Sequence, residues 1–135
     1  MIIFLPCVKT KKSFKTEARN LYDSPYFNKL LSYAKSLNPD NIYILSAKYY
    51  VLEPEDIIEP YNKTLKNFSE RKKKLWAYEV YKELKEKEVD FDEKSLFLVG
   101  KDYRKYLVKL FSDSRTPLEG LGYGEQLHFL NEKLN

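Results

Sequence analysis

The segment SAKYYVLEPEDIIEPY, at positions 46–61, combines residue types that together can bind a nucleotide. An aromatic ring such as that of Tyr49 or Tyr61 can stack on a nucleobase. The cation of Lys48, between a serine and two tyrosines, can bind a phosphate group. Two prolines within the segment restrict its backbone, which suits a preorganised pocket. The segment is therefore the first candidate for a nucleotide-binding site.

Carboxylates in the same segment add the possibility of catalysis. Asp56 and Glu59 are the candidate catalytic residues, because a carboxylate can orient a water molecule as a general base. Glu53 and Glu55 are instead expected to form a solvated acidic turn. Ser46 opens the segment and is a candidate for substrate binding.

Three other segments carry candidate binding residues. Lys9 follows an apolar run and can hold a phosphate, whereas Lys11 and Lys12 could equally form a solvated loop. Cys7 can pack as a small buried side chain or contact the substrate. A glycine-rich stretch, PLEGLGYGEQ, can present backbone N–H groups to a phosphate. The candidates from these segments are Cys7, Lys9, Tyr103, Arg104, Gly124 and Glu125.

Apolar runs predict the elements that must position these residues. Strands are predicted at 2–6 (IIFLP), 41–45 (NIYIL) and 95–99 (SLFLV). Helices are predicted after a cap at Thr16, from Ser24 to about Leu37, from the capping box of Asn67 and Glu70 to about Lys87, over 101–111, and near the carboxyl end. The stretch 46–64 is predicted as a long loop, which in a compact domain tends to be functional.

Alternation of strands and helices predicts one α/β domain over residues 1–135. We expect a three-layer α/β/α fold, in which helices cover both faces of a short, mainly parallel sheet of three to four strands. In such sheets ligands bind beyond the carboxyl ends of the strands. The four candidate segments are therefore expected to converge on one pocket.

Composition limits the function further. The net charge of +4 permits binding to nucleic acid without requiring it. One cysteine rules out an internal disulfide, and one cysteine with one histidine cannot form a Cys/His zinc site. We expect no metal and no cofactor. No apolar run reaches transmembrane length and the opening MIIFLP is short for a signal peptide, so we expect a cytoplasmic protein without a membrane partner.

Several motifs, among them PCVKTKK, YILSAKYYVLEPEDIIEPYNKTL and PLEGLGYGEQLHFL, resemble a small bacterial and phage domain family allied to the YaaA peroxide-stress proteins. Members of these families usually have S-A-K-Y-G-L followed by P-x-D-x-I-x-P-Y. The chain matches this pattern at Ser46, Ala47, Lys48, Tyr49, Pro54, Asp56, Ile58, Pro60 and Tyr61. It departs at Tyr50, where the family commonly has glycine.

The ending TPLEGLGYGEQLHFLNEKL is more distantly similar to the last motif of the uracil-DNA glycosylases. That similarity implies a uracil-DNA-glycosylase-like fold, with a parallel four-stranded sheet between helices. The catalytic histidine of those enzymes has no counterpart here, because Arg115 and Thr116 occupy its region. Their first-motif Asp or Asn is replaced by Cys7 and Lys9, so catalysis would depend on another carboxylate.

Three functions follow from these observations. The leading hypothesis is a DNA glycosylase-like N-glycosidase that acts on a modified base without a metal. The alternative is a non-catalytic module of YaaA type that binds a nucleotide or nucleic acid. In both, the partner is nucleic acid, DNA rather than RNA, or a nucleotide. A metal-dependent nuclease using Glu83 and Lys85 is the third, although these residues fall in a predicted helix.

Overall fold

The computed structural model describes residues 1–8 and 11–135. Its α-helices are α1 (Ala18–Leu21), α2 (Pro25–Ser36), α3 (Glu70–Glu86), α4 (Lys101–Arg104) and α5 (Tyr123–Leu134). Its strands are β1 (Ile2–Pro6), β2 (Thr16–Glu17), β3 (Asn41–Ser46), β4 (Tyr50–Leu52), β5 (Ile57–Ile58), β6 (Ser95–Phe97) and β7 (Ser114–Arg115). Short 3₁₀ turns occupy Leu65–Asn67 and Val108–Leu110.

The main sheet is five-stranded, with the order β4-β3-β1-β6-β7. β1 lies at the centre and pairs in parallel with β3 and β6, and β7 pairs in parallel with β6. β4 is antiparallel to β3 and returns along it through a tight turn, with Tyr50 opposite Ser46. The predicted α/β class and mainly parallel sheet are confirmed. The sheet is wider than the expected three to four strands because β4 and β7 extend it.

Alternate residues of β1 face two separate cores. Ile3 and Leu5 pack with residues of α1, α2 and α5, whereas Ile2 and Phe4 pack mainly with residues of α3. This division follows from the two-residue period of a strand. Each fully buried side chain of this kind contributes roughly 1.5–3 kcal/mol. Helices therefore cover both faces of the sheet and give the three layers expected from the sequence.

The predicted start of α2 is confirmed. The hydroxyl of Ser24 accepts a hydrogen bond from the N–H of Phe27 at 3.0 Å, and Pro25 occupies the first helical position. Proline fits there because its missing N–H would have no partner within the helix. α2 then packs against α5 and β1 on one face of the sheet.

Two predicted helix caps are wrong. The hydroxyl of Ser69, rather than a capping box of Asn67 and Glu70, accepts from the N–H of Lys72 at 3.2 Å and starts α3. Thr16 does not cap a helix, because it lies in β2 and pairs with Ile58 of β5. This small antiparallel pair connects the chain before α1 to the acidic segment.

The structure also corrects the predictions for 101–111 and 46–64. The predicted helix over 101–111 breaks after α4, where the N–H of Leu107 donates to the carbonyl of Arg104, three residues earlier, at 2.9 Å. These tighter turns direct Leu107 and Phe111 into the core. The predicted long loop contains β4 and β5, since Val51 and Leu52 complete an antiparallel ladder with β3. In the described ranges, no helix combines the length and hydrophobicity needed to cross a membrane.

Candidate functional site

The backbone at the carboxyl end of β1 borders a cavity of about 550 Å³, which we call the cleft. The backbone of Cys7 continues from β1, and its N–H donates to the carbonyl of Leu45 in β3 at 3.1 Å. The cleft therefore lies beyond the carboxyl ends of parallel strands, where ligands bind in sheets of this kind. Its lining residues are Cys7, Val8, Lys11, Asn62, Lys63, Thr64, Lys66, Asn67 and Tyr103.

The cleft is cationic and polar. Lys11, Lys63 and Lys66 supply positive charge, and Asn62 and Asn67 supply side-chain amides. No carboxylate is present among the described residues that line it. Ammonium groups and amides are donors that suit phosphate oxygens and the polar edge of a base. The arrangement is thus suited to an anionic ligand that carries a ring.

Lys11 is held against two tyrosine rings at the cleft. Its ammonium lies 4.5 Å from the ring centroid of Tyr61 and 5.8 Å from that of Tyr22. Its backbone forms an antiparallel bridge with Tyr22, which fixes the position from which the side chain extends. Burial lowers the pKa of Lys11 below the usual lysine value. A bound anion would favour the charged form that burial disfavours.

A chain of hydroxyl groups lies beneath Lys11. The hydroxyl of Ser46 donates to the phenol oxygen of Tyr61 at 2.9 Å, and the phenol oxygens of Tyr61 and Tyr22 are 2.7 Å apart. Burial raises the pKa of both tyrosines above the usual value. Both phenols are therefore protonated at physiological pH, and they act as a neutral hydrogen-bonded support rather than as a base.

Ser46 also organises the turn after β3. Its hydroxyl accepts from the N–H groups of Lys48 at 3.2 Å and Tyr49 at 3.0 Å. The indole of Trp76 donates to the carbonyl of Ser46 at 2.9 Å. Ser46 is fully buried, so this predicted binding residue positions the turn and Tyr61 instead of facing the cleft.

Cys7 and Tyr103 meet in the wall of the cleft, although 95 residues separate them in the sequence. The thiol of Cys7 donates to the phenol oxygen of Tyr103 at 3.4 Å, and the N–H of Leu65 donates to the same oxygen at 3.2 Å. Burial raises the pKa of Tyr103. The edge of its ring meets Trp76, with the ring centroids 5.5 Å apart. α3 and α4 are thereby connected to the end of β1.

Lys48, Tyr49 and Tyr61 form one cluster. The ammonium of Lys48 lies 5.2 Å from the ring centroid of Tyr49. The rings of Tyr49 and Tyr61 meet edge to face, with centroids 5.5 Å apart. Lys48 is exposed and is not among the residues that line the cleft, so it belongs to the surrounding surface.

The two candidate catalytic carboxylates lie outside the cleft lining. Asp56 stabilises its own turn: its carboxylate accepts from the N–H of Glu53 at 2.8 Å, and its carbonyl accepts from the N–H of Ala18 at 2.7 Å. Glu59 is exposed, and its carbonyl accepts from the phenol of Tyr49 at 3.4 Å. Over residues 1–8 and 11–135, no three His, Cys, Asp or Glu side chains are grouped to hold a metal ion.

Arg104 faces a separate cavity of about 220 Å³. Its guanidinium donates to the carbonyl of Val99 at 3.0 Å and pairs with Glu119 at 3.5 Å. Only 15% of its side chain is exposed, so protein groups already occupy much of its donor capacity. Gly100 and Gly120 contribute backbone to the same cavity.

Gly124 and Glu125 lie away from the cleft, in a surface depression beside Phe129. The carboxylate of Glu125 accepts from the N–H of Gly122 at 3.1 Å and caps the start of α5. His128 is exposed and pairs with Glu132 at 3.1 Å. The glycine-rich segment PLEGLGYGEQ therefore does not contribute Gly124 or Glu125 to the cleft.

The predicted phosphate ligand Lys9 lies outside the described residues.

The sequence analysis missed several residues that line the cleft. The segment 62–67, NKTLKN, follows Tyr61 directly and lines most of one wall. Leu65 is its only hydrophobic residue and is fully buried, which leaves the polar neighbours at the surface. An isolated apolar residue within a polar run was the available signal.

Comparisons with known proteins give a family but no activity. A family model, DUF6884, matches residues 2–132 and is described as a family of unknown function. No curated protein and no solved structure matches the chain. The matched range includes every residue that lines the cleft. Functional inference therefore depends on the cleft itself.

Proposed function

The chain belongs to the DUF6884 family, and we propose that it binds a nucleotide, free or within a nucleic acid, in the cleft. The observation that carries this proposal is the charge of the lining. Lys11, Lys63 and Lys66 surround the cavity, and the described lining residues include no carboxylate. The volume of about 550 Å³ falls within the roughly 300–1,000 Å³ of typical small-molecule sites.

Lys11 is the proposed main phosphate ligand. Lys63 and Lys66 are exposed at the rim, whereas Lys11 is partly buried against the rings of Tyr22 and Tyr61. A partly desolvated ammonium interacts more strongly with an anion than an exposed one does, because water screens it less. The phosphate would thus be anchored near the end of β1.

Base recognition is assigned to the side-chain amides and the phenol of the cleft. Asn62 and Asn67 carry donors and acceptors that can pair with the edge of a base. Tyr103, which is hydrogen-bonded to Cys7, adds an aromatic ring and a phenol. These groups can orient a base without transforming it.

Binding without chemistry is favoured over the N-glycosidase reaction. That reaction depends on a carboxylate near the sugar to activate water. Asp56 stabilises its own turn, and neither Asp56 nor Glu59 lines the cleft. We therefore propose the alternative hypothesis, a non-catalytic module of YaaA type, with DNA as its nucleic acid.

Nucleotide titration tests this function. We expect deoxynucleoside monophosphates to bind more tightly than the corresponding nucleosides. Lys11→Met should weaken monophosphate binding about tenfold or more, since a charge-assisted contact contributes roughly 1.5–3 kcal/mol. Lys35→Ala, which removes an exposed charge on α2, is the matched control. Isothermal titration calorimetry measures the affinities, and unfolding midpoints confirm that each variant is folded.

Two results would contradict the proposal. One is the absence of binding by any deoxynucleoside or ribonucleoside monophosphate, and the other is an unchanged affinity in Lys11→Met. Incubation with DNA containing modified bases, followed by alkali, should produce no strand breaks. Breaks that disappear in Asp56→Asn or Glu59→Gln would establish the N-glycosidase instead.

A further inference from the structure

A second, shallower cavity adjoins the cleft at the start of α3. We call it the side pocket, and its volume is about 390 Å³. It is lined by Ala47, Tyr50, Lys63, Phe68, Lys72, Leu75, Trp76 and Glu79. Lys63 lines both cavities, so the two are contiguous at this residue.

The floor of the side pocket is apolar and partly aromatic. Tyr50 and Phe68 are half-buried against the core beneath the sheet. Leu75 is 56% exposed and adds to this apolar surface. Exposed apolar and aromatic surface of this kind can stack against a nucleobase.

The side pocket also carries positive charge suited to a phosphate backbone. The ammonium of Lys63 lies 5.5 Å from the ring centroid of Phe68, at the boundary with the cleft. Lys72 stands in the first turn of α3, where the helix dipole disfavours a cation. The single acidic lining residue, Glu79, pairs with Lys82 at 3.1 Å. An anionic ligand would offset the unfavourable position of Lys72.

We propose that the side pocket binds the nucleotide next to the one in the cleft, so that the ligand is single-stranded nucleic acid. The shared Lys63 contacts the connecting phosphate, Lys72 contacts the next phosphate, and the second base packs on Leu75 and Phe68. This inference rests on the proposed nucleotide binding in the cleft. It adds a site of its own, which a mononucleotide would leave empty.

Trp76 provides a built-in reporter for the test. It is the only tryptophan of the chain, it lines the side pocket, and its ring contacts Tyr103 of the cleft. Its fluorescence is titrated with each deoxynucleoside monophosphate and with a random-sequence single-stranded DNA oligonucleotide. We expect the oligonucleotide to bind at least about tenfold more tightly than the best monophosphate, because stacking and a phosphate contact are added.

Variants of the side pocket should separate the two sites. Lys72→Ala and Leu75→Ala should each weaken oligonucleotide binding about five- to tenfold and leave monophosphate binding unchanged. Lys72→Ala should also reduce the slope of log affinity against log salt by about 0.7. The matched controls on α3 are Lys85→Ala and Tyr78→Ala, which change an exposed charge and an exposed ring outside both cavities.

The outcomes distinguish the side pocket from the cleft. If monophosphates bind but the oligonucleotide binds no tighter, or if Lys72→Ala weakens both ligands equally, the side pocket has no such role and the cleft proposal stands. Tighter binding to duplex than to single-stranded DNA also overturns the inference. If neither ligand binds, both proposals fail together.

Discussion

Tyr50 adopts a backbone conformation that residues with a side chain rarely adopt. Its φ of 63° lies in the left-handed region, where glycine is favoured. Tyr50 closes the turn that Ser46 organises and starts β4. A positive φ at this position would suit the glycine that the sequence resemblance predicts there, whereas tyrosine adopts it at a cost.

Substitutions at position 50 should reveal that cost. Tyr50→Ala and Tyr50→Gly remove the same ring contacts, but only glycine relaxes at positive φ. We expect Tyr50→Gly to be more stable than Tyr50→Ala by about 1 kcal/mol. Urea denaturation of the two variants measures the difference. Equal stability, or a more stable alanine variant, would show that the turn carries no such strain.

Lys11 should make nucleotide binding depend on pH. Burial lowers its pKa, so its charge is lost at lower pH than that of an ordinary lysine. Phosphate stabilises the protonated form, and a phosphate monoester is already doubly charged above about pH 7. Affinity should therefore fall as the pH rises through the pKa of Lys11. Lys11→Arg stays charged up to about pH 12 and should shift this fall to higher pH. Calorimetry across the alkaline range compares the two, and identical profiles would contradict the role of Lys11.

Among the elements, α3 supports the site at several places. Trp76, in its middle, donates to the carbonyl of Ser46 at the end of β3 and packs against Tyr103. Lys72, in its first turn, lines the side pocket. One helix thus supports the turn after β3, a wall of the cleft and the neighbouring pocket.

Loss of the α3 cap should destabilise the protein. Ser69 accepts from the N–H of Lys72 at 3.2 Å, and removal of such a cap costs about 1 kcal/mol. We expect Ser69→Ala to lower the free energy of unfolding by about this amount. Ser32→Ala, at an exposed position within α2, should instead leave stability unchanged or raise it slightly, because alanine is the better helix former. A neutral Ser69→Ala in chemical denaturation would mean that the cap contributes nothing.

Predictability differed between elements for identifiable reasons. β1 could be predicted from a continuous apolar run of five residues, and α3 from apolar residues that recur with the 3.6-residue period of a helix. β4 could not, since three residues carry no period and their pairing depends on β3. The break after α4 arises from tertiary packing of Leu107 and Phe111 rather than from local sequence.

At the scale of the whole molecule, the buried tyrosines should limit alkaline stability. Burial raises the pKa of Tyr22, Tyr61 and Tyr103 above the usual value of 10.0. Above that pH the unfolded chain loses phenol protons that the folded chain retains. Stability is thus kept below about pH 10 and lost as the pH rises further. The lowered pKa of Lys11 would make stability rise with pH, but this one lysine is opposed by the three tyrosines.

Urea midpoints between about pH 8 and pH 11 test this dependence. Where the Tyr22 phenol is ionised in the unfolded chain but protonated in the folded one, each further pH unit lowers the free energy of unfolding by about 1.4 kcal/mol. Tyr22→Phe should therefore reduce the steepness of the decline, while Tyr78→Phe, at an exposed ring, should leave it unchanged. Stability that is constant to pH 11 would contradict this account.

The site could be predicted only in part, because segments far apart in the sequence come together to form it. Cys7, Tyr61 and Tyr103 were candidates since each follows or lies near a strand end, and the sheet brings these ends together. The separation of Gly124 and Arg104 from the cleft depends on how α5 and the loop at Glu119 pack. No local pattern in the sequence specifies that packing.

The borders of the main sheet affect behaviour at high concentration. β4 and β7, at the two borders, are three and two residues long, and the exposed Arg115 adds charge to β7. A strand from another molecule could form few backbone hydrogen bonds with either border. The protein should thus resist growth into intermolecular β-assemblies, even though its central strands are strongly hydrophobic.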